Sequence, residues 1–329
     1  MAAGTIVLST NGDVILVLSN KSELKISSHF LSQVSTTFRA LLSPRFAEGQ
    51  QHRSAKFPQY IHLPDDDPTA MLDLCSILQY MPLDEAMRSQ SDAPTVKRII
   101  QFAITADKYD CAAAVELAIT GLLARFMQPS GTLSLCLAHL SDLALAAHLL
   151  RLPRHFTVFT SRIVTEHTDP FSTLLSEAIA DHLGAGAIFA LEEQRTAARI
   201  KCAADVEGLA LNACDLCYKT GLFNNFTNAH AKIFNAEGDH NPFSTVNSSS
   251  LGVLKKSVLR CDDIVVTVVC PERRDGDTYY TIEEEAIWQV AYGIRDIAHG
   301  LCLSCAKAPK ESCLHKDVLV GYVEENEGL

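Results

Sequence analysis

The chain has 329 residues, 47% hydrophobic and 20% charged, which is enough for two or three domains and too apolar for general disorder. Acidic residues outnumber basic ones by 39 to 28, and a net charge of −11 argues against nucleic acid or an anionic membrane surface as the partner. The most apolar stretch, residues 133–150, is interrupted by Asp142 and two histidines, so we expect no membrane-spanning segment.

The cysteine content sets an expectation about the cellular compartment. Residues 1–13 lack the basic start and the long apolar run of a secretory signal. We therefore expect the eleven cysteines to be reduced thiols in a cytoplasmic or nuclear protein, with some of them binding metal.

The N-terminal third mixes short strand signals with helix signals. Residues 5–27 predict a strand, a turn, and two further strands, and residues 56–63 predict one more. Residues 30–42 carry a single helical apolar face that ends before Pro44. A helix is predicted to begin at Asp67-Pro68, because aspartate is a strong N-cap residue and proline suits the first helical turn.

Helical periodicity dominates the next part of the chain, and the C-terminal part is mixed. The predicted helices are one from Pro94 and those at 112–127, 133–150, 153–166, 172–183 and 187–218. Residues 235–250 have a loop-like composition, and residues 263–270 predict a strand. Thr281 is predicted to open the last helix, with Glu284 completing a capping box.

Residues 12–128 resemble a BTB/POZ domain, most closely the BTB proteins of filamentous fungi. The motifs that carry the resemblance are Gly12-Asp13-Val14-Ile15-Leu16-Val17, the helix from Phe30-Leu31-Ser32 to Leu42, Phe46-Ala47-Glu48-Gly49-Gln50, Ile61-His62-Leu63 and Ala106-Asp107-Lys108-Tyr109. The resemblance implies an α+β fold in which a short β-sheet is flanked by helices. A mostly α-helical region and a small Cys-rich C-terminal unit are expected to follow.

The resulting domain prediction has four parts. They are a BTB/POZ domain at 12–128, a helical region at 129–234, a loop or linker at 235–255, and a strand-helix unit with the cysteine cluster at 256–329.

Self-association is the first property that the family resemblance implies. It predicts a homodimer formed through the first helix, often with an exchanged N-terminal strand. The β-prone residues 5–8 suit such an exchanged strand, but they equally suit the outer strand of an ordinary hairpin.

Docking to a cullin is the second implied property. In family members that act as ubiquitin-ligase adaptors, an apolar-x-Glu element follows the second helix, and Phe46-Ala47-Glu48 stands at that position. Phe46 would then be an exposed aromatic anchor and Glu48 a polar orienting contact. The alternative is that Phe46 packs locally and Glu48 is simply solvated.

The chain departs from the transcription-repressor branch of the family. Those relatives carry a His-basic pair before the first helix, where this chain has Ser27 and Ser28. Asp13 is present without the basic partner that the pair would supply, which argues against a charged corepressor groove.

The C-terminal cysteines predict a metal site. Cys302, Cys305, Cys313 and His315 form a C-x2-C-x7-C-x-H pattern, which suits one structural zinc ion held by four protein ligands. Cys214 and Cys217 are alternative ligands if His315 does not bind. The competing interpretation is that Cys302 and Cys305 are small buried apolar residues at a helix end.

The leading functional hypothesis is a non-enzymatic protein-interaction module, with a cullin-type ubiquitin-ligase substrate adaptor as its specific form. No G-x-S-x-G, H-E-x-x-H or P-loop motif occurs. The alternative is an enzyme of unknown class housed in residues 130–329, which would require a concave pocket with converging titratable groups.

Overall fold

The protein is described from a computed structural model. The structure describes residues 4–89, 93–127, 135–174, 177–210, 250–259, 265–268, 278–281, 284–303 and 306. The chain divides into two compact units, Met1–Phe159 and Thr160–Leu329. Within the described residues the fold is α+β, which confirms the predicted class.

A four-stranded mixed sheet begins the first unit. Its strands are β1 (Thr5–Val7), β2 (Val14–Leu18), β3 (Glu23–Ile26) and β4 (Gln59–Leu63), in the order β1-β3-β2-β4. β2 pairs antiparallel with β3 and parallel with β4. β1 pairs in parallel with β3 of the same chain, with Ile6 opposite Leu24. The hairpin alternative for residues 5–8 is therefore wrong, whereas strand exchange between two copies stays a prediction.

The residue pattern of each strand matches its position in the sheet. β2 is central and almost continuously apolar, and its residues are mostly buried. β4 alternates between buried and exposed residues, with Ile61 facing the core and Tyr60 facing outward. β1 is an exposed edge strand.

Helices cover the inner face of this sheet. The helices of the first unit are α1 (Ser28–Val34), α2 (Thr36–Leu41), α3 (Ala47–Gln50), α4 (Pro68–Leu78), α5 (Glu85–Ser89), α6 (Ala93–Lys108), α7 (Ala112–Ala124) and α8 (Leu137–Leu149), followed by α9 (Pro153–Glu166), which reaches the boundary between the units. The predicted start of α4 is confirmed, since Asp67 is its N-cap and the Asp67 side chain accepts from the Ala70 N–H at 2.8 Å.

The single helix predicted over residues 30–42 is in fact two helices, which corrects the prediction. Ser35 lies between α1 and α2 in an extended conformation, and its side chain accepts a hydrogen bond from the Phe38 N–H at 2.9 Å. The Ser35 hydroxyl in turn donates to the backbone oxygen of Tyr109. The helix breaks because Ser35 acts as the N-cap of α2 and ties it to a distant segment.

Two contacts hold the helical layer of the first unit together. Arg98 on α6 forms a two-pronged ion pair with Asp73 on α4, through N–O distances of 2.7 and 2.8 Å. α8 packs extensively on α6, so the compact unit continues beyond residue 128. The predicted domain ranges, which follow the family resemblance, stay predictions.

The second unit is built around a helix pair. Its further elements are α10 (Glu177–His182), α11 (Ala185–Ala210), α12 (Leu251–Leu259), β5 (Val265–Val268), β6 (Thr278–Thr281) and α13 (Glu284–Ile297). α13 packs on both α11 and α12. Just after α13, the Gln194 side chain forms hydrogen bonds with both the backbone N–H and the oxygen of Gly300.

The predicted capping box at Thr281 and Glu284 stays a prediction, because residues 282–283 between them lie outside the described part of the chain. Thr281 is the last residue of β6, where it lies opposite Val265 of β5 in an antiparallel pair. Glu284 is the first described residue of α13. Among the residues that the structure describes, no helix combines the length and the apolar character needed to cross a bilayer.

Candidate functional site

Phe46 and Glu48 lie on a short projection that follows α2. Phe46 is the N-cap residue of α3, and its side chain is 49% exposed. Glu48 is half-buried in the first turn of α3, where it makes no hydrogen bond or ion pair with any described residue. An exposed aromatic ring and a carboxylate without an ion pair among the described residues thus lie two residues apart, and their docking of a partner stays a prediction.

The backbone around this projection is held by contacts from both sides. The Phe46 N–H donates to the Ser43 oxygen at 3.1 Å, and the Gly49 N–H donates to the Phe46 oxygen at 2.9 Å. The Gln50 side chain donates to the Pro44 oxygen at 3.2 Å. These hydrogen bonds fold residues 43–50 onto themselves, so Phe46 and Glu48 are pre-organised.

A shallow groove of about 450 Å³ lies between α2 and Phe46. The lining residues are Thr36, Thr37, Ala40, Leu41 and Phe46. The first four lie on α2 at positions spaced by one, three and four residues, as expected for one face of a helix. A groove lined by methyl groups and an aromatic ring is suited to an apolar side chain from another protein.

Charged residues lie at the edge of this groove. The Thr36 hydroxyl donates to the Asp110 carboxylate at 2.6 Å, and Arg151 forms an ion pair with the same carboxylate at 3.3 Å. Asp110 and Arg151 each end a helix with a positive φ, 51° and 58° respectively. Both helices therefore terminate beside the groove in a conformation that usually requires glycine, and both keep a charged side chain there.

A buried hydrogen-bond network supports α2 from beneath. The Phe38 and Tyr109 rings stack with their centroids 4.3 Å apart. The Tyr109 hydroxyl donates to the Asp66 carboxylate at 2.6 Å, and Lys108 forms an ion pair with the other Asp66 oxygen at 2.6 Å. Burial and the hydrogen bond to Asp66 raise the pKa of Tyr109, so it stays a neutral donor. This network fixes the position of α2, whose residues form the groove floor, relative to the core of the first unit.

The buried thiols of the first unit are not suited to nucleophilic chemistry. Burial raises the pKa of Cys75, and burial likewise raises the pKa of Cys111 to about 11. The reactive form of cysteine is the thiolate, which these raised pKa values disfavour at neutral pH. Cys75 and Cys111 therefore pack as small apolar residues.

Asp13 has a basic partner that the sequence analysis missed. Its carboxylate accepts hydrogen bonds from both the backbone N–H and the hydroxyl of Ser28, each at 2.7 Å, and lies 3.5 Å from Arg53. Arg53 thus pairs with Asp13, although the basic residue of the family's His-basic pair is absent from this chain. Arg53 lies forty residues further along the chain, in an irregular segment with no periodic signal, and only the folded sheet brings it to Asp13.

The predicted zinc site falls almost entirely outside the described residues. Cys302 is described and half-buried, whereas Cys305, Cys313 and His315 lie outside the described part of the chain, as do the alternative ligands Cys214 and Cys217. Within the described ranges, no group of three His, Cys, Asp or Glu side chains could hold a metal ion. Zinc binding stays a prediction.

The described residues of the second unit include two titratable groups with shifted pKa values. Burial lowers the pKa of Arg199 and raises the pKa of Cys202 to about 12. Burial is the largest cause of both shifts, and a raised thiol pKa does not favour catalysis. The alternative of an enzyme in residues 130–329 stays a prediction.

Comparison of the chain with protein-family models finds no match, and comparison with curated proteins likewise finds none.

Proposed function

We propose that this protein is a protein-interaction module that docks a helical partner through the α2–α3 groove. The observation that supports this proposal most strongly is the exposed Phe46 ring, which lines an apolar groove and stands two residues before a Glu48 carboxylate that has no ion pair among the described residues. Aromatic side chains beside a desolvated pocket are the usual energetic centres of protein interfaces. The resemblance of residues 12–128 to a BTB/POZ domain, from which Phe46 and Glu48 were first singled out, supports the same proposal.

The chemistry of the groove defines the partner. Its floor is apolar, and the carboxylate of Asp110, partly neutralised by Arg151, lies at its edge. Glu48 follows the lining residue Phe46 by two positions. A complementary surface has an apolar ridge flanked by hydrogen-bond donors or basic side chains. An amphipathic helix of the partner would present these groups at spacings of three and four residues.

We propose a cullin as this partner, so that the protein acts as a cullin-type ubiquitin-ligase substrate adaptor. The proposal rests on the position of Phe46-Ala47-Glu48 after the second helix, which is where the adaptor branch of the BTB family carries its apolar-x-Glu element. The second unit would then recruit the substrate. Homodimer formation through the first helix is the accompanying proposal from the same resemblance.

Co-purification with a cullin of a filamentous fungus tests this proposal. The full chain should retain the cullin, and the double substitution Phe46→Ala/Glu48→Ala should reduce the retained fraction at least tenfold, a loss of about 1.4 kcal/mol or more. Phe57→Ala is the matched control, because Phe57 is also an exposed aromatic residue but does not line the groove. Equal retention of the cullin by the double variant and the unsubstituted chain would contradict the proposal.

A further inference from the structure

One long side of α11 is exposed and largely apolar. Its exposed residues recur at helical spacing over about 22 Å of helix and are Phe189, Glu193, Thr196, Ala197, Ile200 and Ala204. Phe189 is 58% exposed and Ile200 is 66% exposed. We call these six residues the α11 stripe. Large apolar side chains aligned in this way on a helix surface indicate an interaction site.

The neighbouring helix α13 extends the exposed face. Asp205 and Lys201 lie beside Gly293, whereas Gln194 reaches Gly300, so α11 and α13 run antiparallel. We oriented a helical wheel for each helix so that the residues in α11–α13 contact face each other. The exposed residues of α11 and those of α13 then fall on the same side of the helix pair. Trp288 and Tyr292 of α13 stack there, with ring centroids 5.6 Å apart. The two helices thus form one continuous face.

The charges on the stripe are arranged symmetrically about Ala197. Glu193 lies four residues before Ala197 and Lys201 lies four residues after it, at the edge of the stripe. Glu193 makes no ion pair with any residue in the described ranges, and Lys201 pairs within its own helix with Asp205. A two-fold axis beside Ala197 would bring each Glu193 level with the Lys201 of a second, antiparallel copy.

The side-chain sizes fit the same axis. Phe189 would come level with Asp205 of the second copy and within one residue, about 1.5 Å along the helix axis, of the exposed Ala204, so that a large side chain lies beside a small one at both ends of the contact. Ala197 at the centre would let the two helices approach closely. The charges are thus self-complementary under one rotation, and the side-chain sizes match under the same rotation to within one residue, as a symmetric homodimer interface requires.

We propose that the α11 stripe is a self-association surface, which takes a second copy of this chain in antiparallel orientation. The inference does not rest on the proposed cullin docking, because it concerns a different unit and a different partner. A contact of about four helical turns is at the small end of specific interfaces, so the association is weak and reversible.

A disulfide-trapping experiment on the full chain tests the proposal. Ala197→Cys places a thiol beside the proposed two-fold axis, and oxidised glutathione should link two copies of this variant at a rate at least tenfold above that of Ala113→Cys. Ala113 is the matched control because it is an exposed alanine on α7 of the first unit. Rates no greater than those of the control would overturn the proposal.

Charge reversal in the Ala197→Cys background provides the second readout. Glu193→Lys brings two lysines together at each end and should slow linkage about fivefold. The combined reversal Glu193→Lys/Lys201→Glu should restore the rate to within about twofold, which a merely disrupted surface would not do. A rate unaffected by Glu193→Lys, or not restored by the combined reversal, would contradict the antiparallel register. Unfolding curves of each variant confirm that the fold is retained.

Discussion

Gly49 lies directly against the backbone carbonyl of Ser43. A Cβ atom built on Gly49 would overlap the Ser43 oxygen and carbonyl carbon, so no other residue fits here without a backbone shift. This contact closes the turn between α2 and α3 and sets the direction in which Phe46 and Glu48 project. A residue with no side chain is thus a positioning element of the proposed docking site.

Gly49→Ala should therefore impair partner binding without removing any contact group. The added methyl group forces α3 away from Ser43, and we expect cullin affinity to fall about tenfold while stability decreases by about 1–3 kcal/mol. Binding titration and urea unfolding measure the two effects. Gly121→Ala is the control, because a Cβ there has open space on the exposed side of α7 and should leave binding unchanged. Unaltered affinity in Gly49→Ala would show that α3 does not position the site.

Removal of the Tyr109 hydroxyl should destabilise the first unit. Tyr109→Phe leaves one oxygen of the buried Asp66 carboxylate without its donor, although Lys108 still contacts the other oxygen. The expected loss in the free energy of unfolding is about 1–3 kcal/mol, measured by urea titration. Tyr80→Phe is the control, since the Tyr80 side chain is 90% exposed and the change should lie within about 0.5 kcal/mol. An equal loss in the free energy of unfolding for Tyr109→Phe and Tyr80→Phe would contradict a stabilising role for the hydrogen bond to Asp66.

The features that the sequence predicted are those set by neighbouring residues. The start of α4 depends on Asp67 and Pro68 alone, and the apolar run of β2 marks a central strand without reference to the rest of the chain. Phe46 and Glu48 could be proposed as docking residues because three adjacent residues carry the motif, and their role stays a prediction.

The features that the sequence did not predict depend on distant residues. The break at Ser35 depends on the Tyr109 carbonyl, which is 74 residues away, and the pairing of Asp13 with Arg53 requires the folded sheet. The groove floor was missed for the same reason. Thr36 and Ala40 have no distinctive local signal, and only the tertiary position of Phe46 makes a groove beside them.

Stability should fall on acidification because of His155. This side chain is buried on α9, hydrogen-bonds the backbone of Thr120, and has an Nε2 atom without a partner among the described residues. Burial, with the nearby Arg154 charge, lowers the pKa of His155 in the folded protein. The unfolded chain, with a histidine pKa of about 6.5, therefore binds a proton first as the pH falls.

The free energy of unfolding should accordingly decrease below about pH 6.5, by at most about 1.4 kcal/mol per pH unit for this group. His155→Asn keeps a hydrogen-bond donor but cannot bind the proton, so its stability should vary less between pH 7 and pH 5. Urea unfolding at both pH values measures the difference. His182→Asn, at an exposed position, should keep the wild-type pH dependence. Identical pH profiles for His155→Asn and the wild type would contradict this assignment.

Metal analysis of the purified protein tests the predicted zinc site. The C-x2-C-x7-C-x-H pattern predicts about one zinc per chain, and Cys302→Ser should lower this content substantially because a thiolate ligand is lost. Cys136→Ser is the control, since Cys136 is an exposed cysteine outside the pattern and its loss should leave the zinc content unchanged. A metal-free but folded wild-type protein would rule the site out.

Hydrogen–deuterium exchange with and without a saturating cullin of a filamentous fungus tests the docking of a partner in the α2–α3 groove most directly. Our account predicts slowed exchange of backbone amides over residues 36–50, which span α2 and α3, with smaller changes elsewhere in the first unit. If the cullin leaves exchange in this segment unchanged, or slows it only in other parts of the chain, the groove is not the docking site.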